Sequence, residues 1–216
     1  MKKLLFIICT ALLISGCGLF EEPYVMDKSA EQLASEASSS FFSEDYKLAL
    51  KAYTDLKDWY PFSKYATLAE LKIADSHFLL QEYGAAIFAY EEFEKMHPKN
   101  EAIPYVIYKI GLSWYNQLGT IDRDHTPAQK ALTNFTRLAD QFPMNEYTQK
   151  ASKHYQRCMA NLSGHELYVA DFYMRTKKYN AALKRYEYLV EHYPDSKESK
   201  EALKKIPEAR ALVNKN

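Results

Sequence analysis

Glycine is scarce in this chain, 6 in 216 residues. Tight turns and hairpins draw on glycine for positive φ, so few turns are expected, and neither a P-loop nor a dinucleotide-binding glycine pattern is present. Cysteine is nearly absent: of three, Cys9 and Cys17 lie at the N-terminus and only Cys158 falls in the remainder. That excludes an intrachain disulfide framework and a paired-cysteine zinc site, and a lone helical cysteine reads as core packing. No sign of charge predominates, with 28 basic and 28 acidic residues. Removing the first sixteen residues takes away Lys2 and Lys3, so 26 bases face 28 acids and the net charge is −2. A nucleic-acid binder needs a basic face, so no nucleic-acid partner is expected. No stretch of strict apolar and polar alternation is found, which leaves no sheet.

What is abundant is large aromatics, 18 Tyr and 11 Phe, and they recur in a pattern stated four times. Starting from Tyr46, the pattern is Ala49, Leu50, Tyr53, Leu56, Tyr60, Pro61. It returns as Ala86, Ile87, Tyr90, Phe93, His97, Pro98, then as Ala131, Leu132, Phe135, Leu138, Phe142, Pro143, and finally as Ala182, Leu183, Tyr186, Leu189, Tyr193, Pro194. These offsets lie on one face of an α-helix. The proline ends the helix, because it lacks an N–H and turns the preceding residue out of the helical region. His97 stands where the other copies carry Tyr or Phe, which predicts a packing role.

Residues 1–16 read as a targeting segment. Lys2 and Lys3 precede an apolar run from Leu4 to Ile14, too short to span a bilayer. The run ends in Ile14-Ser15-Gly16-Cys17, which resembles the lipobox of bacterial lipoproteins. The resemblance implies cleavage before Cys17 and lipidation of Cys17, and with Gly rather than Asp at position 18 it implies the outer membrane. The competing reading is an ordinary secretory signal cut after Ser15 or Gly16. Residues 17–28 then read as a tether, and Ser29 with Gln32 forms a capping-box pattern that opens the first helix.

The copies begin at 46, 83, 128 and 179, spaced by 37, 45 and 51 residues. A tetratricopeptide repeat is about 34 residues, and each copy resembles its second helix. The small residues Ala37, Ala74, Gly111 and Ala170 mark the first. The expected fold is all-α, a tetratricopeptide-repeat superhelix of about ten helices in five repeat-like pairs. Residues 29–118 form an N-terminal half, 119–126 an inserted loop, and 127–216 a C-terminal half. The extra length before the fourth copy predicts two helices, 145–161 and 164–177, broken at Gly164. Ser63 is expected to cap the third helix, with Leu68 facing inward, and Pro207 to kink or restart the last one.

No catalytic constellation is found. The six histidines form no His-Glu-x-x-His pair, there is no Gly-x-Ser-x-Gly, and no cofactor is called for. Asp122-Arg123-Asp124 could hold a metal, although a solvated or salt-bridged loop is the ordinary reading. What remains is surface: stacked helix pairs present a face that binds extended peptides or partner helices, and part of the tyrosine excess reads as lining for it.

Four segments are similar to the BamD family of outer-membrane β-barrel assembly lipoproteins. They are Tyr60-Pro61-Phe62-x-x-Tyr65, Tyr105-Val106-x-Tyr108-x-x-Gly111-Leu112, Asp122-Arg123-Asp124 and Phe142-Pro143-x-x-x-Tyr147. The resemblance implies a non-catalytic scaffold, lipid-anchored at the periplasmic face of the outer membrane. Its partners would be the periplasmic domains of a BamA-like barrel protein, other assembly-machine lipoproteins, and the C-terminal signals of unfolded outer-membrane proteins. It also implies that Arg185 pairs with an acidic residue of the BamA-like partner, and that the substrate groove maps to Lys47, Tyr60, Phe62 and Ser63. At position 47 the family has Arg; Lys keeps the charge and loses the bidentate fork. The loop 119–126 is shorter than in the best-known members. Another repeat lipoprotein, such as a secretin pilotin or an envelope coordinator, would share the lipobox and the repeats.

Overall fold

The computed structural model describes residues 27–215. Residues 1–26, with the lipobox, Cys17 and most of the tether, lie outside the described residues. Nine α-helices and no strand occur among the described residues. They are α1 (Ala30–Phe42), α2 (Tyr46–Trp59), α3 (Ala66–Leu79), α4 (Tyr83–Met96), α5 (Ile103–Tyr115), α6 (Thr126–Gln141), α7 (Glu146–Arg175), α8 (Tyr179–His192) and α9 (Lys197–Val213). Each packs on the next in chain order, and α5 also meets α7. This is the expected all-α repeat stack.

The recurring pattern forms α2, α4, α6 and α8, the second helices of the pairs. Tyr53, Leu56, Tyr90, Phe93, Phe135, Leu138, Tyr186 and Leu189 are all buried. Each helix stops at the residue before proline, and those four residues share one conformation: Tyr60, His97, Phe142 and Tyr193 have φ of −131, −127, −136 and −131°. That is where the steric effect of the following proline ring drives them. The capping box at Ser29 forms as read, Ser29 N–H donating to Gln32 Oε1 at 2.8 Å and Gln32 N–H to Ser29 Oγ at 3.3 Å.

Turns within the first, second and fourth pairs are made without glycine. Glu44, Gln81 and Lys177 take φ of 61, 61 and 59°. In the first of these turns Glu44 N–H donates to Phe41 O and Asp45 N–H to Ser40 O, and the same two bonds recur after α3 and α7. This is the Schellman closure, with a residue that pays a steric penalty in the left-handed region where glycine would not.

Second-helix tyrosines tie into the preceding first helix at a fixed offset of 15 residues. Tyr53 Oη lies 3.2 Å from Ser38 Oγ, and Tyr90 and Tyr186 donate to Asp75 and Asp171 at 2.7 and 2.6 Å. The third pair carries Phe135 for the tyrosine and Leu112 for the acceptor, so hydroxyl and acceptor are lost together.

Four expectations need correction. Residues 145–161 and 164–177 belong to one helix, α7, of 30 residues. Gly164 is buried inside it, and the inserted loop explains why: Ile121 Cγ2 lies 3.1 Å from where a Gly164 Cβ would sit. The glycine makes room for the loop rather than breaking the helix. Pro207 does not restart a helix: it sits within α9, which continues through it to Val213. Ser63 does not cap α3, which starts at Ala66 without a side-chain cap, and Ser63 Oγ is sealed from solvent with no partner. Leu68, in the first turn of that later-starting helix, is 48% exposed rather than inward.

Three apolar clusters hold the stack: one in α1–α3, one running from Ala74 to Cys158, and one joining Ala170 to α8 and α9. The middle cluster crosses the inserted loop, and Cys158 is buried in it as read, its thiol pushed by burial up to about 11.

Candidate functional site

Arg185 lies on α8, whose inner face is fixed by Ala182, Tyr186 and Leu189. That leaves residue 185 on the outer flank, where its side chain is 45% exposed. It is not a solitary charge: its Nη1 donates to Glu166 Oε2 of α7 at 2.8 Å, and the Glu166 side chain is only 12% exposed. Tyr173, Ala181, Lys184 and Tyr188 complete a shallow hollow around it. A guanidinium has five N–H donors, so one bond to Glu166 orients the group and leaves donors for a second carboxylate. Sequence reasoning did not foresee Glu166, because a carboxylate on a neighbouring helix leaves no local signal.

The four groove residues are not brought together as one cluster. Lys47 stands exposed on the first turn of α2, and Tyr60 caps its far end. Thirteen residues of helix separate them, about 20 Å at 1.5 Å per residue. Tyr60 packs against the α1–α3 cluster and its hydroxyl donates to Lys28 O at 2.7 Å, so it fastens the start of the fold. Phe62 is the outlier, 100% exposed beside a half-buried Ser63. Phe62 and Ser63 form a turn with an open aromatic ring, while Lys47 belongs to another part of the surface.

His97 fulfils its packing role, its ring 4.9 Å from that of Phe93, and adds a bond from Nε2 to Glu70. Asp122-Arg123-Asp124 belongs to the turn into α6, where Asp124 Oδ1 accepts from Thr126 N–H at 2.9 Å and Thr126 Oγ1 at 2.7 Å. These bonds hold the Asp124 carboxyl below its usual range. No group of three or more metal-ligating side chains is found among the described residues. The inserted loop is docked on α7: Asn161 donates to Gly119 O at 3.1 Å, His165 Nδ1 lies 2.7 Å from Ile121 O, and the His125 and His165 rings are 4.5 Å apart.

A polar cluster inside the N-terminal half was not foreseen. Asp75 on α3 is 4% exposed. Its Oδ1 accepts from Tyr90 at 2.7 Å and from Tyr105 at 2.6 Å, and its Oδ2 from Lys72 at 2.9 Å. Burial first, then the Asp75 charge, pushes both phenols well above their ordinary range. Lys109 on α5 is 9% exposed with its Nζ 3.2 Å from the centre of the Phe78 ring, and burial pushes its ammonium down to about 8. The 15-residue offset between acid and tyrosine, present twice, was the signal available for finding Asp75.

No helix among the described residues is long and apolar enough to cross a membrane. The chain is 28% identical over 218 residues to an outer membrane protein assembly factor BamD of Neisseria meningitidis serogroup A, covering 94% of this chain and 82% of that one. Proteins of the same description from Vibrio cholerae (26% identical; 88% and 83% covered) and Rickettsia prowazekii (25%; 98% and 84%) are also similar. Among solved structures, the TPR2AB domain of yeast Sti1 aligns with a TM-score of 0.47 and 14% identity over 86% of this chain and 75% of that one. The family described as YfiO, outer membrane lipoprotein, matches residues 26–215, which span all of the described residues, and the chain belongs to that family.

Proposed function

We propose that this chain is a non-catalytic scaffold of the outer-membrane β-barrel assembly machine, anchored by lipid on Cys17 at the periplasmic face of the outer membrane. It holds the periplasmic domains of a BamA-like barrel protein through the C-terminal half and receives C-terminal signals of unfolded outer-membrane proteins on the N-terminal half. Other lipoproteins of the machine complete the assembly. The observation that carries the reading is the family match over residues 26–215, together with relatives described as assembly factors, the first of which is matched over 82% of its length. The half-exposed Arg185, oriented by Glu166 with donors to spare, supports a charged contact on α8. The open ring of Phe62 supports an aromatic contact near the N-terminal turn.

The test is purification of the full-length lipoprotein from detergent-solubilised membranes, with identification of what accompanies it. A BamA-like barrel protein is expected. Its absence while other partners are retained overturns the reading. Arg185→Glu is expected to weaken that association at least tenfold, and Glu166→Gln to leave it largely intact, since Arg185 then keeps its charge. If Arg185→Glu retains its partner, Arg185 leaves the site while the scaffold reading stands.

A further inference from the structure

Basic side chains recur on the first helices at a constant distance from an aromatic or thioether group of the preceding first helix. Lys72 lies over the Phe41 ring at 4.4 Å and Lys109 over the Phe78 ring at 3.2 Å, each 31 residues later in the chain. Adding the eight inserted residues 119–126, the next rung is His154, its ring 4.6 Å from that of Tyr115. The last is Lys205, again 31 residues after Met174 and lining one hollow with it. The rungs form a row of positive or protonatable groups along the face where first helices stack.

Two of the rungs are neutralised within the chain. Lys72 pairs with Asp75 at 2.9 Å, and Lys205 with Asp171 at 2.9 Å and Glu201 at 2.7 Å. The middle two are not. No carboxylate lies within salt-bridge distance of Lys109 among the described residues, and the nearest influential one, Asp75, is already engaged by Tyr90, Tyr105 and Lys72. His154 Nδ1 is sealed from solvent with no hydrogen-bond partner. Lys109 Nζ is not among the atoms so sealed, so the ammonium of this largely buried residue still reaches the surface. Burying an uncompensated cation is costly, and the Phe78 ring face recovers part of that cost.

We propose that the Lys109 ammonium is the docking point for a carboxylate of an extended polypeptide laid across this first-helix face. Tyr105, which stands beside Lys109, and Tyr147, 5.3 Å from the Tyr105 ring, supply the adjoining aromatic surface. Charge selects the occupant. One uncompensated ammonium matches one singly charged group, whereas a phosphate calls for a fork of donors or a second cation. A solenoid face rich in tyrosine suits an extended peptide. The inference rests on the reading that the N-terminal half receives an extended peptide and deepens it, because it assigns the anchoring residue, Lys109, outside residues 47, 60, 62 and 63.

The experiment measures binding of fluorescent decapeptides, alternating apolar and uncharged polar residues, to the full-length protein in detergent. One peptide ends in a free carboxylate, one in an amide, and one carries an internal Glu with an amide end. At pH 7 the free-carboxylate or the Glu peptide is expected to bind at least tenfold more tightly than the neutral amide. Which of the two does so tells chain end from side chain. Lys109→Met should abolish the preference while melting no lower than the wild type. In the unsubstituted protein the preference should fade between pH 7 and pH 9.5. Equal binding of all three peptides, no binding of any, or a preference that survives in Lys109→Met overturns the proposal.

Discussion

Phe135 fills the space that a methyl group on Gly111 would need. A Cβ at residue 111 would lie 2.5 Å from Phe135 Cε1 and 2.8 Å from Cδ1. Gly111 stands where the other pairs carry Ala37, Ala74 and Ala170, and Phe135 where they carry tyrosine. Without a hydroxyl to hold at the edge, the ring has moved over the first helix, and the helix has given up its methyl. Gly111→Ala gains about 1 kcal/mol of helix propensity and loses about 1–3 kcal/mol to overpacking. A net loss of up to about 2 kcal/mol is expected in urea unfolding. Phe135→Leu added to that variant should recover part of the loss.

The buried acids should rank by how many donors they hold. Asp75→Ala strands the hydroxyls of Tyr90 and Tyr105 and the Lys72 ammonium. Hydrogen bonds to a charged group contribute about 1.5–3 kcal/mol, so a loss of about 3 kcal/mol or more is expected. Ser38→Ala removes one neutral contact to Tyr53 at 3.2 Å, and a loss of about 0.5–1 kcal/mol is expected. A Ser38→Ala loss equal to that of Asp75→Ala in equilibrium denaturation contradicts this account.

Stability should rise with pH before it falls. The folded Lys109 loses its proton near pH 8 and an unfolded lysine near 10.5. Between these values the unfolded chain binds more protons, so unfolding free energy increases with pH, by up to about 3 kcal/mol at 1.36 kcal/mol per unit. Above pH 10 the sign reverses. Tyr90, Tyr105 and Tyr186 stay protonated in the fold, from burial foremost, while unfolded tyrosines ionise. Urea midpoints measured from pH 7 to pH 11 should pass through a maximum, and Lys109→Met should lack the rising limb.

Glycine should be welcome where the chain does without it. Gln81, with φ of 61°, closes the α3–α4 turn in the left-handed region. Gln81→Gly relieves about 1–2 kcal/mol of steric strain against about 0.5–1 kcal/mol of unfolded-chain entropy. A gain of about 0.5–1 kcal/mol is expected, seen as a rise of a few degrees in the melting temperature. The same substitution at Gly84's neighbour Ala85, inside α4, should destabilise instead.

Second helices were legible because their burial is written at fixed offsets and closed by proline, as at Tyr53 to Pro61 or Tyr186 to Pro194. The inserted loop was legible as a departure from that spacing. Gly164 was misread because its cause, Ile121, sits 43 positions away in that loop, and no local pattern distinguishes a glycine that breaks a helix from one that admits a neighbour. Scarce glycine was read as few turns, whereas Glu44, Gln81 and Lys177 make the turns at a steric cost. Of the site residues, Arg185 was placed on its helix correctly. Its partner Glu166 and the cluster at Asp75 and Lys109 were hidden because apolar periodicity marks the oily face of a helix and is silent about charges buried beside it.

The 30-residue helix α7 contributes its N-terminal part to the cluster that reaches back to Ala74 and its C-terminal part to the cluster under α8. At 1.5 Å per residue it is a beam about 45 Å long, with the inserted loop bolted across its middle at Asn161, Gly164 and His165. Arg185 of α8 holds this beam through its bond to Glu166, well along from the end that carries Tyr147 and His154. The two clusters are thereby joined by one continuous helix, with no loop between Cys158 and Ala170.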